Sequence, residues 1–176
     1  MTMWVFGYGS LLWNPGFRVA RRETAVLHGY ARSFCMSSIH HRGTAEQPGL
    51  VLALDETEGA HCKGLALAVE PGHEEQTLAE LRERELISSA YLERNLEVEL
   101  ADGRFVNAVT YVIDPHHVQY CGGMSLEDQA RIIAHAAGGR GPNTEYLYNT
   151  AQHLAEIGLH DRDLDWLAAR VRQIAG

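Results

Sequence analysis

The first two-thirds of the chain consists of short apolar runs separated by polar and turn-forming residues, a pattern that is typical of β-strands. The clearest alternation of apolar and polar residues precedes Asp102-Gly103, and an Asp-Gly pair between two such runs indicates a hairpin turn. The returning run is halted by Asp114-Pro115. The predicted strands cover residues 3–8, 25–36, 50–54, 64–69, 92–100 and 105–113.

Helical periodicity occupies one segment between these strands and all of the last third of the chain. Ser125, which is followed by acidic residues, and Asp161 are predicted to cap helices, because their side chains can accept hydrogen bonds from the first free N–H groups. The predicted helices cover residues 73–87, 125–137, 142 or 143 to 157, and 161–174.

The order of these elements predicts an α+β fold rather than a doubly wound sheet, because strands come first, helices come last, and the two hardly alternate. Six or seven short strands with mixed faces can close into a small mixed or antiparallel β-barrel. The chain has 176 residues and neither a linker nor an internal repeat, so we expect a single domain over residues 1–176.

Composition narrows the possible partners. The net charge of −8 disfavours nucleic acid and anionic membranes, because neither would be attracted electrostatically. We find no secretory signal and no apolar run long enough to span a membrane. The cysteines are scattered and odd in number, which predicts reduced thiols in a cytoplasmic protein. They are Cys35, Cys62 and Cys121.

The end of the first predicted strand is the first candidate site. Gly7, Gly9 and Ser10 follow an apolar run, and glycine lets other atoms approach the backbone closely. Several backbone N–H groups at one point can bind an anion or a developing oxyanion. The alternative interpretation is an ordinary glycine-rich turn after a strand.

Glu85 is the candidate base. At 100° per residue it shares a helix face with Leu78 and Leu81, whereas Glu83 and Arg84 belong to the solvated face. Burial raises the pKa of a carboxyl group, which suits a general base working near neutral pH. The alternative is that Glu85 frays outward at the helix end, or pairs with Arg82 or Arg94.

A metal or cofactor site is not predicted. Adjacent histidines such as His40-His41 and His116-His117 point in different directions and do not chelate one ion together. Nucleotide-binding glycine motifs are missing after the first strand, and Ser10 lacks the flanking pattern of a hydrolase nucleophile.

Two further polar blocks are candidates for substrate contact. Arg42 follows an apolar strand and can hold a carboxylate with two parallel hydrogen bonds, although a solvated loop arginine is equally consistent with the pattern. Asn143 is predicted to cap a helix, and Tyr146 on that helix faces either a pocket or the core.

Four blocks together resemble the ChaC-type γ-glutamylcyclotransferases, the branch that acts on glutathione. They occur in the family's order and span nearly the whole chain. The blocks are Phe6-Gly7-Tyr8-Gly9-Ser10-Leu11-Leu12-Trp13, His41-Arg42-Gly43 with Pro48-Gly49, Arg84-Glu85 with Tyr91, and Gly141-Pro142-Asn143-Thr144-Glu145-Tyr146-Leu147.

The resemblance implies a compact β-barrel with flanking helices. It also implies cleavage of glutathione to 5-oxoproline and cysteinylglycine without a cofactor, with Glu85 as the general base. The substrate's own α-amine would be the nucleophile, which agrees with the lack of a nucleophile motif. The resemblance further implies that Tyr91, Tyr146, Arg42 and the first loop contact the substrate. That loop comprises Phe6, Gly7, Tyr8, Gly9, Ser10 and Leu11.

One departure from the family pattern concerns the segment after Glu85. Ser89-Ala90 stands before Tyr91, where two glycines are expected, and this change can alter the fit of the cysteinylglycine half. Two alternatives stay open at this point. The chain can be a cyclotransferase for other γ-glutamyl amino acids or amines, or a binding or regulatory module that has kept the fold and lost the reaction.

Overall fold

A computed structural model describes residues 2–86 and 89–175. Five strands make a barrel, two very short strands pair with each other, and four α-helices and one 3-10 turn complete the described elements. The strands are β1 (Trp4–Gly7), β2 (Val19–Ser38), β3 (Gly49–Val69), β4 (Tyr91–Leu100), β5 (Phe105–Ile113), β6 (Ala137–Gly138) and β7 (Gly141–Pro142). The helices are α1 (Glu74–Glu85), α2 (Leu126–His135), α3 (Asn143–Glu156) and α4 (Arg162–Ala175).

The chain divides into two compact units, which are described separately. The first unit contains the residues up to Arg32 together with the segment from Leu54 to Val118. The second unit contains the segment from Ser33 to Ala53 and the residues from Gln119 onward.

The barrel closes in the strand order β1-β3-β2-β4-β5. β1 pairs antiparallel with β3 and parallel with β5, while β4 and β5 form the predicted hairpin around Asp102-Gly103. Phe6, Leu27 and Leu100 are each at most 2% exposed and belong to the apolar cluster inside the first unit. The prediction of an α+β fold with a small mixed barrel and helices is confirmed.

The strand boundaries differ from the prediction in the middle of the chain. The runs at residues 50–54 and 64–69 belong to one continuous strand, Gly49–Val69, and β2 begins at Val19 rather than at residue 25. Between the two apolar runs, residues 56–59 are exposed, so their polar side chains are solvated without ending the strand. The described barrel therefore has five strands instead of six or seven short ones.

The helices follow the predicted pattern closely. Ser125 Oγ accepts a hydrogen bond from the Asp128 N–H at 3.2 Å, and Asp161 Oδ1 accepts from the Asp163 N–H at 3.0 Å, so both predicted caps are confirmed. α2 ends at His135 because Ala136 is extended, with ψ at 146°. The predicted end of the first helix at residue 87 lies outside the described residues.

The second unit has an apolar core of its own. Its helices bury large aliphatic side chains that are at most 1% exposed: Ile133, Leu147, Leu154, Leu164 and Leu167. None of the helices in the described ranges is long and apolar enough to cross a membrane.

Candidate active site

The loop after β1 presents backbone N–H groups that have no acceptor in the part of the chain that the structure describes. Gly9 caps a single 3-10 turn, in which the Leu12 N–H donates to the Gly9 carbonyl at 2.9 Å. Among residues 2–86 and 89–175, no acceptor pairs with the N–H groups of Gly9, Ser10 and Leu11. A Cβ atom at Gly9 would meet nothing within 4 Å, so the space beside this loop is open. The loop can therefore offer several donors to a ligand.

Two of the predicted loop residues make contacts inside the first unit, Phe6 through its side chain and Tyr8 through its backbone carbonyl. The Phe6 side chain is 1% exposed in the barrel core, which restricts any contact with a ligand to its backbone. The Tyr8 carbonyl accepts from Arg32 Nε at 2.8 Å, and the buried Arg32 also donates to the Lys63 carbonyl. Sequence reasoning missed Arg32, because its partners are distant carbonyl groups that no local motif marks.

Glu85 is the last residue of α1, and its side chain is 18% exposed. In the described part of the chain no hydrogen bond reaches its carboxylate, and Arg84 Nε lies 3.7 Å from its Oε1. Burial raises the pKa of Glu85, and the charge of Arg84 opposes part of this rise. The negative end of a helix dipole also disfavours a carboxylate at this position.

Arg82 and Arg94, the partners that the alternative interpretation gives to Glu85, are engaged elsewhere. Arg82 forms a fork with Glu93, with Nε and Nη2 each 3.0 Å from a carboxylate oxygen. Arg94 Nη1 donates to the Glu93 carbonyl at 3.1 Å. The alternative that Glu85 pairs with Arg82 or Arg94 is therefore wrong.

Arg84 connects α1 to the first loop, which corrects its interpretation as an ordinary solvated charge. Its Nη2 donates to Ser10 Oγ at 2.9 Å, and its Nη1 donates to the Asn14 carbonyl at 2.9 Å. The loop donors and the desolvated carboxylate thus lie on either side of one arginine. Helical periodicity could not reveal this contact, because it joins residues 74 positions apart in the sequence.

An apolar cluster supports these polar groups. Leu11 from the loop, Leu81 from α1 and Tyr111 from β5 are buried in it, and Tyr91 packs against it. Tyr111 donates its hydroxyl hydrogen to Glu93 at 2.9 Å. Burial raises the pKa of Tyr111, and the negative charges of Glu93 and Glu85 raise it further. Sequence reasoning missed Tyr111, because a tyrosine in an apolar strand has no distinctive pattern.

Arg42 and Tyr146 lie together in the second unit. Arg42 Nη1 donates to the Pro142 carbonyl at 3.1 Å and lies 3.8 Å from Glu145 Oε1, while its guanidinium stands 5.7 Å from the centre of the Tyr146 ring. The Tyr146 hydroxyl accepts from the Leu52 N–H at 3.1 Å. Both side chains therefore help to organise their own unit, and their contact with a substrate stays a prediction.

Asn143 is not the predicted helix cap, because α3 begins at Asn143 and Pro142 occupies the cap position. The Asn143 side chain is fully buried and bonds both polar groups of the Leu50 backbone, accepting from the N–H at 2.8 Å and donating to the carbonyl at 2.9 Å. The amide thus makes the two backbone hydrogen bonds that a neighbouring strand would otherwise make with Leu50. The asparagine of the fourth block thus stabilises the fold.

Ser89 carries the departure from the expected glycine pair. Its φ is 56°, a left-handed conformation that glycine adopts readily and other residues rarely. Ala90, the next residue, is completely buried. Ser89 thus keeps a backbone conformation typical of glycine, although it carries a side chain.

The described ranges contain no group of three or more histidine, cysteine, aspartate or glutamate side chains that could hold a metal ion. We therefore expect EDTA to leave 5-oxoproline release from glutathione unchanged. The measurement compares 5-oxoproline release before and after chelation and dialysis. A loss that added divalent metal restores would contradict this prediction.

The barrel, the first loop and α1 together define the fold of the γ-glutamylcyclotransferases. A crystal structure of a yeast γ-glutamyl cyclotransferase specific to glutathione superimposes with a TM-score of 0.84 at 24% sequence identity, and 100% of each chain is covered. This likeness establishes the fold.

The family is established by sequence. The model of the ChaC-like protein family matches residues 3–174, and the chain belongs to this family. It is 38% identical over 172 residues to the glutathione-specific γ-glutamylcyclotransferase of Escherichia coli K12, covering 98% of this chain and 74% of that protein. It is 36% identical over 180 residues to γ-glutamylcyclotransferase 2-1 of Arabidopsis thaliana, covering 98% of this chain and 83% of the relative.

Proposed function

We propose that this protein is a glutathione-specific γ-glutamylcyclotransferase, a lyase that converts glutathione to 5-oxoproline and cysteinylglycine. One observation carries the proposal: a desolvated carboxylate, Glu85, stands next to an arginine that is hydrogen-bonded to a loop whose N–H groups have no acceptor among the described residues. The names of the relatives support the choice of glutathione as substrate.

Glu85 is the proposed general base. The α-ammonium of the γ-glutamyl group is attracted to this carboxylate and must lose a proton before its nitrogen can attack. A raised pKa brings the carboxyl closer to the working pH, where proton transfer is most effective. A positioned base of this kind contributes about 10²–10⁴-fold to the rate.

The reaction needs no water and no enzyme nucleophile. The freed amine attacks the γ-carbonyl carbon of the same residue, which closes a five-membered ring and places a negative charge on the carbonyl oxygen. The N–H groups of Gly9, Ser10 and Leu11 are the proposed donors to this oxyanion. The bond to the cysteine nitrogen then breaks, and that nitrogen takes the proton from Glu85. The surplus proton of the new ring nitrogen passes by way of the same carboxylate to the cysteine nitrogen, so the products are a neutral lactam and a cysteinylglycine with a protonated amine. Holding the substrate in a near-ring conformation provides the intramolecular advantage.

Two proposals about context accompany this mechanism. The family model matches residues 3–174, nearly the whole chain, which supports a single γ-glutamylcyclotransferase-like domain. A substrate that is a reduced thiol agrees with a cytoplasmic location, as do three cysteines that form no disulfide in the described structure.

The decisive assay compares two substrates. We expect rapid 5-oxoproline release from glutathione and at least about tenfold slower release from γ-glutamylalanine, because contacts to the cysteinylglycine half are missing from the smaller compound. Chromatographic measurement of 5-oxoproline from each substrate checks this prediction. Equal rates would favour a broader γ-glutamyl cyclotransferase, and no release from either would favour a binding module.

A further inference from the structure

Arg84 makes three contacts that no other side chain of α1 makes in the described structure. Its Nη2 donates to the Ser10 hydroxyl at 2.9 Å, its Nη1 donates to the Asn14 carbonyl at 2.9 Å, and its Nε lies 3.7 Å from Glu85. These contacts hold both ends of the loop turn against the C-terminal end of the helix. The arginine side chain is 33% exposed.

The direction of the hydrogen bond to Ser10 determines what the serine can do. A guanidinium has only donors, so Ser10 Oγ must act as the acceptor of this bond. The serine's own O–H is then left to donate to another group. The neighbouring N–H groups of Gly9, Ser10 and Leu11 have no acceptor in the described residues. The serine hydroxyl thus becomes a further donor beside them.

We propose that Arg84 is a positioning residue of the cyclisation, which fixes the Ser10 hydroxyl as an oxyanion donor and couples the loop to Glu85. The inference rests on the proposed function and adds a part to it. As the reaction proceeds, Glu85 gains a proton and loses its negative charge, while negative charge appears on the oxyanion beside the loop. Arg84 contacts both Glu85 and the loop. Its positive charge therefore has the Glu85 carboxylate as an anionic neighbour before ring closure and the oxyanion after it.

Other charged groups near Glu85 do not duplicate this arrangement. On β5, Tyr111 lies close enough for the Glu85 charge to act on it, and its hydroxyl is bound to Glu93 of β4. Arg82 on α1 is held in a fork by Glu93. Among the described side chains, Arg84 is therefore the cation that contacts both Glu85 and the loop.

The test uses Arg84→Lys and Arg84→Gln in the full-length protein, with glutathione as substrate. We expect Arg84→Lys to lower kcat by about 10–100-fold with KM within about threefold, because an interaction made mainly in the transition state is lost. Arg84→Gln also removes the positive charge beside Glu85, which raises the pKa of that carboxyl. The acid limb of the kcat/KM profile should then move to higher pH, and Arg84→Lys should move it less.

Ser10→Ala and a double variant test whether Arg84 acts through the serine. Ser10→Ala removes only the exposed hydroxyl, and we expect it to lower kcat without raising KM. Arg84→Lys combined with Ser10→Ala should be little worse than either alone, because coupled residues are not additive. Arg131→Lys is the matched control, since Arg131 pairs with Glu127 in the second unit, and it should leave kcat unchanged.

The outcomes separate the two proposals. A wild-type protein that releases 5-oxoproline, with folded Arg84 variants that match it in kcat and pH profile, would overturn the role of Arg84 alone. If the Arg84 variants do not fold, an unchanged kcat in Ser10→Ala would overturn it instead. A wild-type protein without activity on any γ-glutamyl compound would overturn both proposals. Circular dichroism and thermal melting establish the folded state of each variant.

Discussion

Replacing Glu85 with glutamine is expected to lower 5-oxoproline release from glutathione by about 10²–10⁴-fold, the range contributed by a positioned general base. Glutamine has nearly the same shape but cannot accept the proton of the α-ammonium. The measurement is kcat for 5-oxoproline formation, followed by chromatography over long incubations. Residual activity above roughly half of the wild-type value would show that another group takes the proton.

The same substitution should leave the fold intact and, at neutral pH, should stabilise it. Burial raises the pKa of Glu85 in the folded state, so the ionised carboxylate opposes folding and the wild type loses stability as pH rises through that pKa. We expect the Glu85→Gln variant to have the higher Tm at pH 8 and no advantage near pH 4, where the wild-type carboxyl is protonated. Glu83→Gln, on the exposed side of the same helix, is the matched control and should change neither kcat nor Tm.

Replacing Asn143 with alanine is expected to give the largest loss of stability. The change leaves the N–H and the carbonyl of Leu50 without partners in a buried place and opens a cavity beside them. Unsatisfied buried backbone groups cost about 1–3 kcal/mol each, so we expect a loss of about 2–5 kcal/mol. For a chain of this size the corresponding fall in Tm is roughly 5–15 °C.

A second asparagine on the same helix provides the control for this measurement. Asn149 is exposed on α3, so Asn149→Ala removes the same amide without disturbing a buried partner. The free energies of unfolding of the two variants, measured by chemical and thermal denaturation, should differ by most of the predicted loss. If Asn143→Ala and Asn149→Ala unfolded at the same temperature, the proposed role of the buried amide would be contradicted.

Much of the fold follows from local patterns, and the parts that do not follow share one cause. The caps at Ser125 and Asp161 and the strand Phe105–Ile113 are determined by neighbouring residues, so the sequence predicts them well. The sequence pattern predicts two strands where the structure has one, Gly49–Val69, because the polar centre of this strand has the composition of a turn. Pairing with the neighbouring strands of the barrel, rather than local composition, keeps that segment extended.

The candidate site shows the same division. The raised pKa of Glu85 could be anticipated, because its position on a buried helix face depends only on helical period. The contact between Arg84 and Ser10 could not, because it depends on where a distant loop comes to lie. The preference of asparagine for cap positions predicts that Asn143 caps a helix, yet its side-chain amide bonds to the backbone of Leu50, which is distant in sequence.

The left-handed backbone of Ser89 has a consequence for anyone who wishes to redesign this enzyme. A residue with a Cβ atom is less stable by about 1–2 kcal/mol in that conformation, so the surrounding structure holds the dihedral angle against the preference of serine itself. What matters at this position is therefore the positive φ angle, which directs the chain into β4, rather than the type of side chain. Libraries that vary the segment for new γ-glutamyl substrates should therefore admit glycine and asparagine there and exclude β-branched residues, which tolerate that angle least.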